Sequence, residues 1–164
     1  MSTTSAADPK LDLLRHTLAT LAYRGGKTLR GCPPSFAGYR AAPGTRTPAE
    51  ILAHLGDLLD WAGSQVRGKA AWHDSPPLPW DQEVARFFAA LAALDGQLAA
   101  GVPPDFRAER FFQGPIADAL THIGQLALLR RLAGAPLRGE NFARADIAAG
   151  RVGPEQAAPA FEFD

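Results

Sequence analysis

A single cysteine, Cys32, leaves a chain of 164 residues without any intramolecular disulfide to hold it together. Neither charge is in surplus, since 17 Lys+Arg face 17 Asp+Glu and the formal net charge at pH 7 is zero. Without a global field the chain has no means of steering nucleic acid or seeking an anionic bilayer, so neither is expected as a partner. The longest apolar runs are broken by charge or glycine within about a dozen residues, short of the ~20 that a membrane-spanning helix needs. The opening "MSTTSAADPK" lacks the basic-then-apolar order of a secretory signal, and cytoplasmic residence is the expectation. Valine, isoleucine and threonine are scarce, and no stretch shows the alternation of a strand.

Alanine, leucine, arginine and glutamate are plentiful, and the apolar residues recur with helical period. Asp8 and Pro9 open a first helix over about 8–24, with Leu11, Leu14, Leu18 and Leu21 on one stripe, and the Gly25-Gly26 pair is expected to stop it. A long Gly- and Pro-rich connection comes next, with Phe36 and Tyr39 as packing anchors. Thr47-Pro48-Ala49-Glu50 reads as a capping box with proline at the first helical position. The second helix then carries Ile51, His54, Leu55, Leu58, Leu59 and Ala62 on one face and ends near Arg67. A third, whose inward face of Val84, Phe87, Phe88, Leu91, Leu94 and Leu98 reads as wholly apolar, closes near Gly101. "PDFRAERFF" adds a short helix, and Gly114-Pro115 opens a fourth long one, ending at "LLRRLAG" with Gly134 as its cap. Amphipathic helices of this length are most simply buried as an antiparallel four-helix bundle, so the fold class is all-α in one domain. The bundle occupies about 8–134, and a C-terminal extension of a short helix and polar tail occupies about 135–164.

Within the last helix the stretch "DALTHIGQ" places Asp118, His122 and Gln125 at spacings of four and three. Residues four apart share a helix face and sit about 5–6 Å apart at Cβ, close enough to grip one ion. His54, on the inward face of the second helix, supplies a third donor if the two helices face each other. Two imidazoles and a carboxylate suit Zn, Ni, Fe or Mn as divalent ions, with positions left open for a small-molecule substrate. A His-Asp-His hydrogen-bond network would also satisfy these groups in a core.

"RTPAEILAHLGDLLDW" together with the later "GPIADALTHIGQLALLRRLAG" resembles the DinB/YfiT-like family of four-helix-bundle proteins, and the likeness covers most of the chain. In that family one histidine of the second helix and two of the last hold a metal, ahead of a Gly-Gln pair. The resemblance therefore implies His54, Asp118 and His122 as ligands, with Gly124 and Gln125 matching the Gly-Gln. Asp118 stands where a histidine is usual, and its harder oxygen favours Fe, Mn or Zn. The resemblance further implies a homodimer and a metal-dependent enzyme. Its activity would be thiol-dependent transfer or isomerisation, using a low-molecular-weight thiol, or hydrolysis, with Gln125 contacting or orienting substrate. The alternatives are a non-catalytic stress or interaction protein with a structural polar cluster, and an apolar-ligand carrier.

Other candidates rank lower. "GGKT" at residues 25–28 is no phosphate loop, because Leu21 stands where the motif needs glycine and no strand precedes it. His16 lies off the apolar stripe. Trp72, His73 and Asp74 occupy a loop able to roof the site, and Asp57 and Trp61 flank His54 on its helix. Cys32 reads as a small packed hydrophobe. Glu140, Asn141 and Asp146, with Arg130, Arg131 and Arg144, read as a solvated rim.

Overall fold

A computed structural model describes residues 8–163; residues 1–7, on which most of the signal-peptide expectation falls, lie outside it. Among the described residues the chain is mostly helical, with four long helices and one very small sheet. These helices are α1 (Pro9–Leu29), α2 (Pro48–Val66), α3 (Trp80–Ala100) and α5 (Ala117–Leu132), with a single turn of helix, α4 (Ala108–Phe111), before the last. Among the described residues no helix is long and apolar enough to cross a membrane.

The helix starts result from local chemistry. Asp8 accepts the Lys10 amide at 2.9 Å ahead of Pro9. Thr47 and Glu50 form both halves of the capping box: Glu50 Oε2 accepts the Thr47 amide at 2.6 Å, and Thr47 Oγ1 accepts the Glu50 amide at 3.3 Å. Gly101 and Gly134 end α3 and α5 in positive-φ conformations, at 108° and 77°. α2 packs on α3 and α5, and α1 packs on α3 and α5. Between them Leu18, Leu21, Leu52, Leu55, Phe87, Leu91 and Leu126 are completely buried.

Several expectations are corrected. α1 does not stop at Gly25-Gly26 but runs on to Leu29, so "GGKT" is buried helix. A Cβ on Gly25 would lie 2.8 Å from the Phe87 ring and 3.3 Å from Ile123 Cδ1, so this glycine admits close approach of α3 and α5 and breaks nothing. The inward side of α3 is not wholly apolar, because Glu83 and Asp95 are buried there. Glu83 accepts the Leu78 amide at 2.8 Å, and Asp95 is gripped by Arg15 at 2.8 and 2.9 Å.

The extension contains strands where a short helix and polar tail were expected. β1 (Gly139–Glu140) pairs antiparallel with β2 (Glu162–Phe163), and a single 3-10 turn spans Phe142–Arg144. Glu140 and Arg130 are not rim charges. Glu140 is buried against Tyr23 and Lys27, while Arg130 donates to the carbonyls of Thr28, Arg30 and Ala135 and so ties α5 to the end of α1. Phe36 anchors the first connection edge-on to Trp80, with centroids 5.6 Å apart. Cys32 is half-buried against the core, and burial pushes its thiol pKa up.

Candidate metal centre

Two helices bring the three expected ligands together. The capping box fixes where α2 begins and thus its phase, which turns Ile51, Leu55 and Leu59 fully inward and leaves His54 at the edge of that face, 19 % exposed. α5 is preceded by a π turn, Phe112–Ile116, that contains Pro115. This wider turn accommodates a residue with no amide proton, and such turns are frequent at functional sites. Asp118 and His122 then stack one turn apart, their side chains 46 % and 11 % exposed.

One donor atom from each of His54, Asp118 and His122 lies within 4.8 Å of the other two. His54 Nε2 is 3.9 Å from Asp118 Oδ2, His122 Nδ1 is 3.3 Å from Asp118 Oδ1, and the imidazole centroids are 4.8 Å apart. His122 Nδ1 is also 2.9 Å from the backbone carbonyl of Asp118. A carbonyl only accepts, so Nδ1 carries the proton and Nε2 keeps its lone pair, the arrangement usual for a histidine that ligates a metal through Nε2.

Burial, then the neighbouring His122 ring and Arg46, hold the His54 pKa below its ordinary 6.5, while Asp118 and Asp57 pull the other way. The neutral, ligating form is thereby favoured. The sign for stability comes from linkage: between the depressed native pKa and 6.5 the unfolded chain binds more proton. This contribution is complete above 6.5 and is lost as pH falls through the native value. Metal-free protein should therefore melt progressively lower below about pH 6.5, and His54→Gln should flatten that part of a calorimetric pH series.

The loop between α2 and α3 reaches the site. Trp72 meets His54 edge-on with centroids 5.6 Å apart, and Trp61 meets Trp72 at 6.0 Å. Asp57, Asp60 and His73 converge as a second group. Arg86 is seated among them, with Nη2 donating to Asp57 Oδ1 at 2.6 Å and to Asp60 Oδ2 at 2.8 Å. A fixed guanidinium there supplies the positive charge, so this group is an ion-pair network. Burial alone would raise the Asp57 carboxyl, but Arg86 and the Ser75 amide outweigh it and hold the pKa low.

Gln125 is exposed and forms no hydrogen bond to either imidazole. His16 and Asp74 are exposed. Arg86 and Asp60 were not singled out from sequence, whereas Trp72 lies on the loop expected to roof the site and does meet His54. Gly56 was the available signal for Arg86: a glycine inside a Leu-rich helix costs stability unless something approaches closely, and a Cβ there would lie 2.8 Å from the guanidinium carbon. Compared with known protein families, with curated proteins and with solved structures, the chain matches none.

Proposed function

We propose that this chain is a metal-dependent enzyme of the DinB-like type, an antiparallel four-helix bundle in which His54, Asp118 and His122 hold one divalent ion, Zn, Ni, Fe or Mn. The observation that carries the reading is the convergence of three donors from α2 and α5 within 4.8 Å. Ligands at about 2.0–2.2 Å from one ion sit roughly 3–4 Å from each other, so the set must draw in by about 1 Å. The Asp118 carboxylate, nearly half exposed, has the freedom to do so.

The residues divide the work. His122 is oriented by the Asp118 carbonyl, His54 is kept neutral by burial, and the Asp118 carboxylate offsets the ion's charge. When bound, such an ion lowers the pKa of a coordinated thiol or water, so that thiolate or hydroxide persists near neutral pH. Trp72, edge-on to His54 and next to Trp61, walls one side of the site against water. The reaction is thiol-dependent transfer or isomerisation, or hydrolysis, of a small molecule.

Untagged protein loaded with zinc should retain about one ion per chain by elemental analysis, and His54→Ala and His122→Ala should each weaken retention by tenfold or more. Equal metal content in all three proteins removes the proposal. A second reading draws on the His122 bond to the Asp118 carbonyl, which satisfies the ring internally: a structural polar cluster without catalysis. It requires that chelator leave the melting temperature unchanged and that His122→Leu raise it.

A further inference from the structure

A cavity of about 200 Å³ lies between α1, α5 and residues 137–142, and none of His54, Asp118 and His122 lines it. Arg24 and Lys27 of α1, Arg131 in the last turn of α5 and Arg138 beyond it all do. In a chain whose formal net charge is zero, four cations around one void are a local surplus.

The nearby carboxylates do not cancel that surplus. Among the described residues Glu140 is the one acid lining the cavity, and its side chain has no exposed surface, so what it presents there is main chain. Glu140 and Glu162 share Lys27 Nζ at 2.7 and 2.8 Å, and Arg138 Nη1 stands 3.6 Å from Glu162 Oε2. Two carboxylates thus answer Lys27 and Arg138. Among the described residues neither Arg24 nor Arg131 has a carboxylate within ion-pair distance.

The charged heads on α1, and not merely their stems, are at the cavity. Phe142 is one of its walls, and Arg24 Cζ lies 4.4 Å and Lys27 Nζ 5.9 Å from the centroid of that ring. Tyr23 holds the ring edge-on, with centroids 6.3 Å apart. A ring face attracts the guanidinium charge but leaves Arg24 its five N–H donors, and among the described residues none of them meets an acceptor oxygen. Lys27 is buried and gives two of its three protons to the glutamates, so a third is left without an acceptor oxygen.

Gly124 supplies the space on the α5 side. A glycine inside a helix costs stability, and Gly25 and Gly56 are explained by a ring and a guanidinium pressed against them. A Cβ at Gly124 would meet nothing within 4 Å, so no packing partner requires this glycine, yet it lines the cavity. Donors therefore surround a void smaller than a drug-sized site. Cations on three walls suit a tetrahedral dianion, whose oxygens accept from several sides, and arginine forks match phosphate oxygens bidentately.

We infer that this cavity binds the phosphate group of a small molecule, inorganic phosphate or a short phosphate monoester, with Arg24 and Arg131 gripping its oxygens and Lys27 donating its third proton. The inference does not depend on the metal centre.

The test is a titration of the full chain with inorganic phosphate and with glycerol phosphate at constant ionic strength, followed by NMR on the backbone amide of Gly139, which lines the cavity. At least one probe should shift that amide saturably, and the ratio of the two affinities tells whether the free anion or its ester is preferred. Arg24→Gln and Arg131→Gln should each weaken binding by about tenfold or more. Gly124→Leu should fold with an unchanged or higher melting temperature, since its Cβ has room and glycine is the poorer helix former, yet abolish the shift by filling the void. After chelation, and in His122→Ala, the shift should persist, which separates this cavity from the metal centre. The inference is overturned if neither probe saturates, if sodium chloride alone reproduces the shift, or if binding is unchanged in either arginine variant or in Gly124→Leu. It is overturned equally if chelation or His122→Ala abolishes binding, which would put the phosphate on the ion.

Discussion

Lys27→Met is expected to destabilise the folded chain by about 3–5 kcal/mol, because it leaves a buried carboxylate without its cation. Glu140 and Glu162 are direct cross-strand partners in the β1–β2 pair, and like charges so opposed repel. Lys27 Nζ bridges them at 2.7 and 2.8 Å, while the Tyr23 hydroxyl donates to the other oxygen of Glu140 at 2.5 Å. The Glu140 side chain has no exposed surface, so its charge has no recourse to water once the ammonium is gone. Guanidinium unfolding of Lys27→Met, Glu140→Leu and the double variant completes a thermodynamic cycle. The double variant should recover most of the loss, since replacing both members of a buried pair by apolar groups is often near neutral. Additive losses would mean that the pair is not coupled.

Phe87→Ala should cost a comparable amount, about 3–5 kcal/mol, seen as a melting temperature lower by about 10 °C. The ring is completely buried and lies against both Gly25 and Phe88, with the two phenyl centroids 5.1 Å apart. Gly25→Val alone should cost about 1–3 kcal/mol: its Cβ would fall 2.8 Å from a ring that the core holds in place, and this clash outweighs the gain in helix propensity. In the Phe87→Ala background the valine enters the vacated space, and the combined loss should fall short of the sum by about 1 kcal/mol or more. Additivity within error would show that α1 and α3 do not meet through this contact.

These two sites also mark what sequence reading reached. Helical period and caps placed α2 and α3 almost to the residue, because the Thr47–Glu50 box and Gly101 act locally and each leaves its signature within four residues. The Gly25-Gly26 pair was read by the same local rule and misled. The reason for Gly25 lies in Phe87, 62 positions away, which no local pattern reveals. The β1–β2 pair was invisible for the same cause: two residues per strand carry no alternation, and the pairing is imposed by Lys27 on α1.

Of the site, His54, Asp118 and His122 were legible, since an i,i+4 pair and a histidine on an apolar face are patterns of single helices. Gln125 shares the motif but not the direction, being exposed. Arg86 was illegible as a partner of Asp57 and Asp60. Which cation enters a notch on α2 depends on the packing of α3, and only Gly56 hinted that a notch exists.

The π turn ahead of α5 has a consequence for length variation in this chain. Such a turn holds one more residue than an α turn, so a one-residue deletion within 112–116 would leave a regular helix from Ala108 to Leu132. Everything upstream would keep nearly its present phase relative to Asp118 and His122, because the wider turn spends one extra residue on almost the same rotation. Phe111, now fully interior, would stay so, whereas a one-residue deletion within the regular turns between Asp118 and His122 would turn those two side chains about 100° apart.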